Sequence, residues 1–203
     1  MHLYVEGGGD AKLLRTQCRQ GFSEFLRKAG LQGHMPRIVA CGSRRQAYDD
    51  FCTALAQGQR AAMLLVDSED AVTVAVGSPG DHLRQRSADA WFRPSGAHDD
   101  DCHLMVCCME SWFLADRCAV ATFFGQGYDQ TALPAVATAI ESVARDRVFR
   151  ALADATRSCK TQAPYGKGEH SFKLLALIDP TKVAAASPWA RHFLSTVKHA
   201  MGC

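Results

Sequence analysis

The 203-residue sequence has no hydrophobic run long enough to cross a bilayer. Its longest apolar stretches, such as Leu104–Met109 and Leu174–Ile178, fall far short of the roughly 18–20 residues that a span requires. The start, Met-His-Leu-Tyr-Val-Glu, lacks a basic segment ahead of an apolar stretch, so no secretion signal is expected. The chain therefore reads as cytoplasmic, with no membrane partner. Nine cysteines include no C-x-x-C pair. An odd count in a chain of this size argues against a disulfide framework, and the missing short spacings argue against zinc. Cys18, Cys41, Cys52 and Cys118 punctuate apolar segments and Cys107-Cys108 lies inside one, where free thiols behave as small hydrophobes. Neither phosphate-binding fingerprint is present. No Lys-Ser/Thr follows the Gly7-Gly8-Gly9 run, and Lys12 stands where a dinucleotide motif needs its third glycine. Nucleotide hydrolysis and NAD binding thus drop out as leading functions, and there is no internal repeat or low-complexity tract.

What is present is globular. At 47% hydrophobic and 22% charged, the chain has enough apolar material for a core and too little charge for wholesale disorder. Leu3–Val5 predicts a strand, and Leu14, Cys18, Phe22, Phe25 and Leu26 recur at helical spacing up to Gly30. Met35–Cys41 predicts a second strand. Ser43 then caps a helix that buries Ala47, Phe51, Ala54 and Leu55 and ends near Gly58. Ala61–Val66 reads as a strand buried on both faces, and His103–Met109 as a fourth. Alternating strands and helices with short connections predict an α/β fold: a central, mostly parallel four-stranded sheet flanked by helices. The Gly- and Pro-rich stretch 71–101 reads as an insertion over one sheet edge. Beyond Gly125 the pattern is helical, near Ala135–Ala144, Val148–Arg157, Ser171–Ile178 and Pro188–Met201. Residues 1–125 are thus expected to form the core and 126–203 a helical lobe packed on it.

Charge is unevenly distributed. Residues from Arg145 onward hold ten Lys and Arg against four Asp and Glu, whereas residues 1–144 hold thirteen against seventeen. An acidic part suited to divalent metal beside a basic part suited to phosphate points to a polyanionic substrate. Glu6 and Asp67 each follow a buried strand, and strand C-termini of a parallel sheet face a common crevice, where both are expected to stand exposed. Glu69 and Asp70 extend this acidic loop, and Glu110, at the end of the fourth strand, can reach the same crevice if that strand pairs beside the first. Carboxylate oxygens in such number suit Mg²⁺ or Mn²⁺. Gly7 and Gly8 permit close backbone approach to a metal or phosphate. Lys160 and Lys167 are candidates to neutralise a scissile phosphate, with Arg44, Arg45, Tyr165 and His170 as further substrate-binding candidates.

The order strand, Glu-Gly, helix, strand, helix, strand, Asp-x-acidic resembles the Toprim catalytic domain of topoisomerases, bacterial primases and OLD-type nucleases. Glu6 matches its glutamate and Asp67 the first residue of its Asp-x-Asp pair; either Glu69 or Asp70 completes that pair. The segments YVEGGGD, MPRIVACGSR, LLVDSED, HLMVCCMESWFLAD and KxxxxYxKGxHSFxLL together resemble a Toprim-like family of small bacterial proteins found with ABC- or AAA-type ATPases. That family includes the nuclease effector of the anti-phage system PARIS. The resemblance implies a Toprim-like, Rossmannoid core and a metal-dependent nuclease acting on DNA or RNA, tRNA included, under the control of a partner ATPase. It also implies that Glu110 belongs to the site. The competing expectation is a non-catalytic, Toprim-shaped regulatory subunit of an ATPase complex. The insertion and the final helix, with Trp189 as an exposed anchor, are the candidate docking surfaces, and the oligomeric state, a homo-oligomer included, stays open.

Overall fold

The computed structural model describes residues 1–72 and 77–203. Four strands, β1 (His2–Gly8), β2 (Arg37–Gly42), β3 (Ala62–Asp67) and β4 (Cys102–Met105), form one sheet in the order β2-β1-β3-β4. Every neighbouring pair is parallel. Parallel pairing requires crossovers, supplied by α1 (Lys12–Leu26) between β1 and β2 and α2 (Arg44–Ala56) between β2 and β3. The expected α/β architecture is therefore present.

Two-residue periodicity sorts the strands into two faces. Leu3, Val5, Met63, Leu65 and Met105 join one apolar cluster, whereas Tyr4, Leu64, Val66 and Leu104 join another. The first face is covered by Cys18, Phe22 and Phe25 of α1 and by the C-terminal helices: α5 (Arg145–Thr156), α6 (Ser171–Leu177), α7 (Pro180–Ala186) and α8 (Pro188–Met201). That cluster is continuous from Leu3 to Val197, so these helices share the sheet's core. Each large side chain buried there contributes on the order of 1.5–3 kcal/mol. The second face is covered by Ala47, Phe51 and Ala54 of α2, with Leu83 of α3 (Pro79–Gln85) and Trp91 from the insertion.

Local signals account for most boundaries. Ser43 Oγ accepts the Gln46 N–H at 3.1 Å and caps α2 as expected. Asp179 caps α7 by accepting the Thr181 N–H at 2.8 Å, with Pro180 in the first turn, a start signal that apolar spacing alone misses. A helix, α4 (Arg117–Phe124), also follows Asp116. The expected fourth strand is shorter: it ends at Met105, and Met109–Ala115 coils as a 3₁₀ helix that buries Glu110, Trp112 and Phe113. The expected helix over 135–144 is reduced to a 3₁₀ turn at Ile140–Ser142. Val136 is exposed and only Ile140 and Val143 bury, so no helical apolar face exists there. Glu141 instead ties this segment to α8, bonding the Ser187 hydroxyl and the Trp189 N–H. Trp189 is half-buried against the second cluster, which corrects its reading as an exposed anchor. All nine cysteines are free, and no helix of the described residues is long and apolar enough to cross a membrane.

Gly21 sets the approach of α1 to α6: a Cβ there falls 2.7 Å from the Phe172 carbonyl oxygen. Gly21→Ala must push α6 away, and a loss of about 1–3 kcal/mol in urea unfolding is expected. His103, buried in β4, donates from Nε2 to the Asp100 carbonyl at 2.9 Å, and burial lowers its pKa to about 4. The unfolded chain takes up this proton near pH 6.5, so the stabilisation is complete above that pH and is lost as pH falls toward 4. His103→Gln is expected to remove about 1–3 kcal/mol of the pH dependence of stability between pH 4 and 6.5, measured by denaturant titration.

Candidate metal centre

The crevice lies where the sheet ends. Glu6, Gly7 and Gly8 from β1, Gly42 from β2, Asp67 from β3 and Met105 from β4 line one cavity of about 280 Å³, with Glu110, Lys167 and Ser171 contributed from beyond the strands. Leu14, Met109 and Phe172 give it apolar walls. The glycine run is needed for the packing behind it: Gly7 has φ +131°, and a Cβ there meets the Phe172 ring at 2.8 Å. Gly7 and Gly8 both pair with Gly42, a bulge that turns the chain at the cavity mouth.

Glu6 and Asp67 meet here. Glu6 Oε2 accepts the Asp67 N–H at 3.0 Å, and Asp67 Oδ1 accepts the Met109 N–H at 2.8 Å. These bonds fix both carboxylates, while Glu6 Oε1 and Asp67 Oδ2 make no hydrogen bond among the described residues. Asp67 is only 3% exposed and Glu6 is half-buried, which corrects the expectation of two exposed side chains. Burial raises the Glu6 pKa, tempered by the Asp67 N–H and by Lys167. Burial, followed by repulsion from Glu6 and Glu110, holds Asp67 well above the usual carboxylate range.

Glu110 completes the acidic wall from the 3₁₀ helix. Its Oε1 accepts from the Tyr165 hydroxyl at 3.1 Å and from Ser171 Oγ at 2.9 Å. Its Oε2 is buried with no partner. A buried carboxylate oxygen left without a donor is costly, and a cation in the adjoining cavity would supply what it lacks. Glu69 arrives from the loop after β3, pinned by its N–H to the Cys107 carbonyl at 2.8 Å and strained at φ +66°. One oxygen each of Glu6, Asp67 and Glu69 lie within 4.8 Å of one another. Oxygen donors alone, closely grouped beside an orphaned carboxylate oxygen, fit a hard divalent cation such as Mg²⁺ or Mn²⁺. Glu6, Asp67, Glu69 and Glu110 are the residues placed to hold it.

The other candidates are distributed differently. Asp70 turns away to Arg86 at 2.6 Å with its side chain 65% exposed, so Glu69, and not Asp70, groups with Glu6 and Asp67. Arg44 is tied into the scaffold. It donates to the Asp67 carbonyl at 2.7 Å, pairs with Asp89 and lies over the Trp91 ring at 4.5 Å. Arg45 pairs with Asp49 on the outer surface of α2. Lys160 is exposed and does not line the cavity. Tyr165 and His170 are buried: the tyrosine orients Glu110, and His170 Nδ1 accepts the Gly166 N–H at 3.0 Å to brace the loop. Lys167 is at the cavity. Desolvation opposes its charge, but Glu110, Asp67 and Glu6 outweigh this and hold its pKa above the ordinary amine value.

Two participants escaped the sequence reading. Ser171 follows His170 in the motif already singled out, so that segment marked its position but not its role. Arg145 ion-pairs with Glu69 at 2.7 Å, and only the folded chain joins residues so distant in sequence.

An all-parallel α/β sheet with carboxylates gathered at its C-terminal edge defines a Rossmann-like protein with a candidate cation-binding cavity. Over residues 5–198 the chain matches the family described as Domain of unknown function (DUF4276), and it belongs to that family. No curated protein and no solved structure matches it.

Crowded carboxylates destabilise the metal-free fold, and neutralising one relieves that repulsion while its hydrogen bond can be kept. Glu6→Gln and Asp67→Asn are each expected to raise metal-free stability at about pH 7 by about 1–2 kcal/mol, or roughly 2–8 °C in a thermal melt. Mn²⁺ is expected to raise the melting temperature of the wild type and to lose most of that effect in both variants. Variants melting at the wild-type temperature, with an unchanged response to Mn²⁺, would contradict this assignment.

Proposed function

We propose that the protein is a metal-dependent phosphodiesterase of Toprim type that hydrolyses nucleic acid, with Mg²⁺ or Mn²⁺ as its cofactor. The observation that carries this reading is a cavity lined by Glu6, Asp67, Glu110 and Lys167, with a Glu69 oxygen grouped beside those of Glu6 and Asp67. When bound, the cation would make water nucleophilic near neutral pH and offset charge on the phosphate. Glu6 and Asp67 hold their positions through the backbone N–H groups of Asp67 and Met109, so little reorganisation is needed on binding. Tyr165 and Ser171 orient Glu110 from behind. Lys167 presents an ammonium to the negative charge that develops on the phosphoryl oxygens. Leu14, Met109 and Phe172 lower the local dielectric and strengthen each of these interactions.

The sequence offers no base-reading motif, so the substrate is assigned by its phosphate backbone: DNA or RNA, with tRNA suggested by the PARIS resemblance alone. We assign control to a partner ATPase of the ABC or AAA type. The resemblance supplies this partner, and the sequence carries neither nucleotide-binding fingerprint that would let the chain gate itself.

Labelled single-stranded and duplex DNA and RNA, incubated with Mn²⁺ or Mg²⁺, test the reading. The wild type is expected to cleave at least one of them, alone or with its ATPase. Glu6→Gln and Asp67→Asn are each expected to lower the rate by about two orders of magnitude or more while remaining folded. Cleavage by Glu6→Gln at the wild-type rate sinks the proposal. Metal binding without cleavage of any substrate returns the chain to a regulatory role.

A further inference from the structure

The Glu69–Arg145 pair holds a residue that the proposed chemistry has not used. Arg145 opens α5 and contacts Glu69 through one guanidinium nitrogen, Nη1, at 2.7 Å. Its Nε is buried without a hydrogen-bond partner, so the guanidinium is only partly satisfied. Its Cζ lies 5.6 Å from the centre of the Phe149 ring, and Lys167 Nζ lies 5.2 Å from the same ring. One aromatic side chain thus contacts two cations, Lys167 of the cavity wall and Arg145 on Glu69. In the metal-free protein, four carboxylates (Glu6, Asp67, Glu69 and Glu110) face these two cations. A divalent cation evens that count, and Glu69 cannot serve it fully while bonded to Arg145. The Glu69 side chain is 17% exposed, so bulk water does little to screen this competition.

We propose that Arg145 is a metal-released phosphate clamp: a divalent cation draws Glu69 away, and the freed guanidinium, held beside Lys167 by Phe149, binds the substrate phosphate next to the cation. This rests on the metal-dependent phosphodiesterase reading and adds an order to it. Metal and nucleic acid then bind with positive cooperativity, because each is favoured by the broken Glu69–Arg145 pair, and linkage makes the effect reciprocal. A guanidinium offers parallel N–H donors that match two phosphate oxygens, which a lysine at this position does not. Glu69 rests in a left-handed backbone conformation, held by the Cys107 carbonyl together with this ion pair.

Two variants give opposite signatures. Mn²⁺ alone is titrated by calorimetry, and a fluorescein-labelled, single-stranded phosphorothioate oligonucleotide is followed by anisotropy with and without Mn²⁺. Arg145→Gln is expected to bind Mn²⁺ roughly two- to fivefold more tightly, because its competitor is gone. The same variant is expected to bind the oligonucleotide in Mn²⁺ roughly tenfold more weakly. Glu69→Gln is expected to bind Mn²⁺ more weakly, yet to bind the oligonucleotide without metal roughly two- to fivefold more tightly. Arg145→Lys restores charge but not the forked geometry and is expected to recover only part of the oligonucleotide affinity. If Arg145→Gln weakens both ligands, or changes neither, Arg145 only braces the loop and the inference is overturned. If the wild type binds the oligonucleotide but Mn²⁺ does not tighten that binding, the inference falls while the phosphodiesterase reading stands. Failure of the wild type to bind Mn²⁺ removes both.

Discussion

Mutual repulsion among carboxylates in a partly dry cavity is the constraint on which the rest of this structure depends. Glu6, Asp67 and Glu110 bear on one space of about 280 Å³, and burial makes the charges of Glu6 and Asp67 expensive. The surroundings answer with fixed donors: two backbone N–H groups, a tyrosine hydroxyl and a serine hydroxyl. They answer also with Lys167, which lines the cavity, and with Arg145, which pairs with Glu69. An arrangement that costs stability in the free protein is one in which a cation has most to offer, and neutralising substitutions are expected to separate stability from function here.

The fold serves this constraint by placing strand ends. Parallel pairing directs all four C-termini to the same edge, so β1 and β3, adjacent in the sheet, deliver Glu6 and Asp67 side by side although they are far apart in the chain. Helix α6 then closes the cavity from the opposite side. It approaches closely only because Gly7 and Gly21 leave room for Phe172, and it carries Ser171 to Glu110. Packing on the α1 face and polar chemistry at the sheet edge are thus coupled through a single short helix. The α2 face contributes rigidity instead, because Arg44, bonded to the Asp67 carbonyl and to Asp89, stiffens the end of β3 from behind.

Much of this was legible in the one-dimensional pattern. Apolar runs at strand spacing, stripes at helical spacing, the Ser43 cap and the acidic residues directly after strands predict a parallel α/β fold and place Glu6 and Asp67 at its edge, because these signals are local and the rules of parallel sheets do the rest. The position of Glu110 was legible through motif resemblance. Side-chain direction was not. Arg44, Tyr165 and His170 sit in segments rich in functional signals, yet they point into the scaffold, and Asp70 turns outward to Arg86 while its neighbour Glu69 turns in. A left-handed backbone at Glu69 decides that last choice, and the Cys107 carbonyl and Arg145 hold it there.

The sequence by itself determined the strand order's raw material, the amphipathic faces and the identity of the acidic residues, since each depends on a few neighbouring positions and on burial from water. Tertiary structure alone decided which carboxylates converge, which oxygen stays without a donor, and which arginine answers Glu69. Those outcomes depend on distances between residues separated by tens of positions, as Glu69 and Arg145 are, and such distances are set by packing rather than by any local preference.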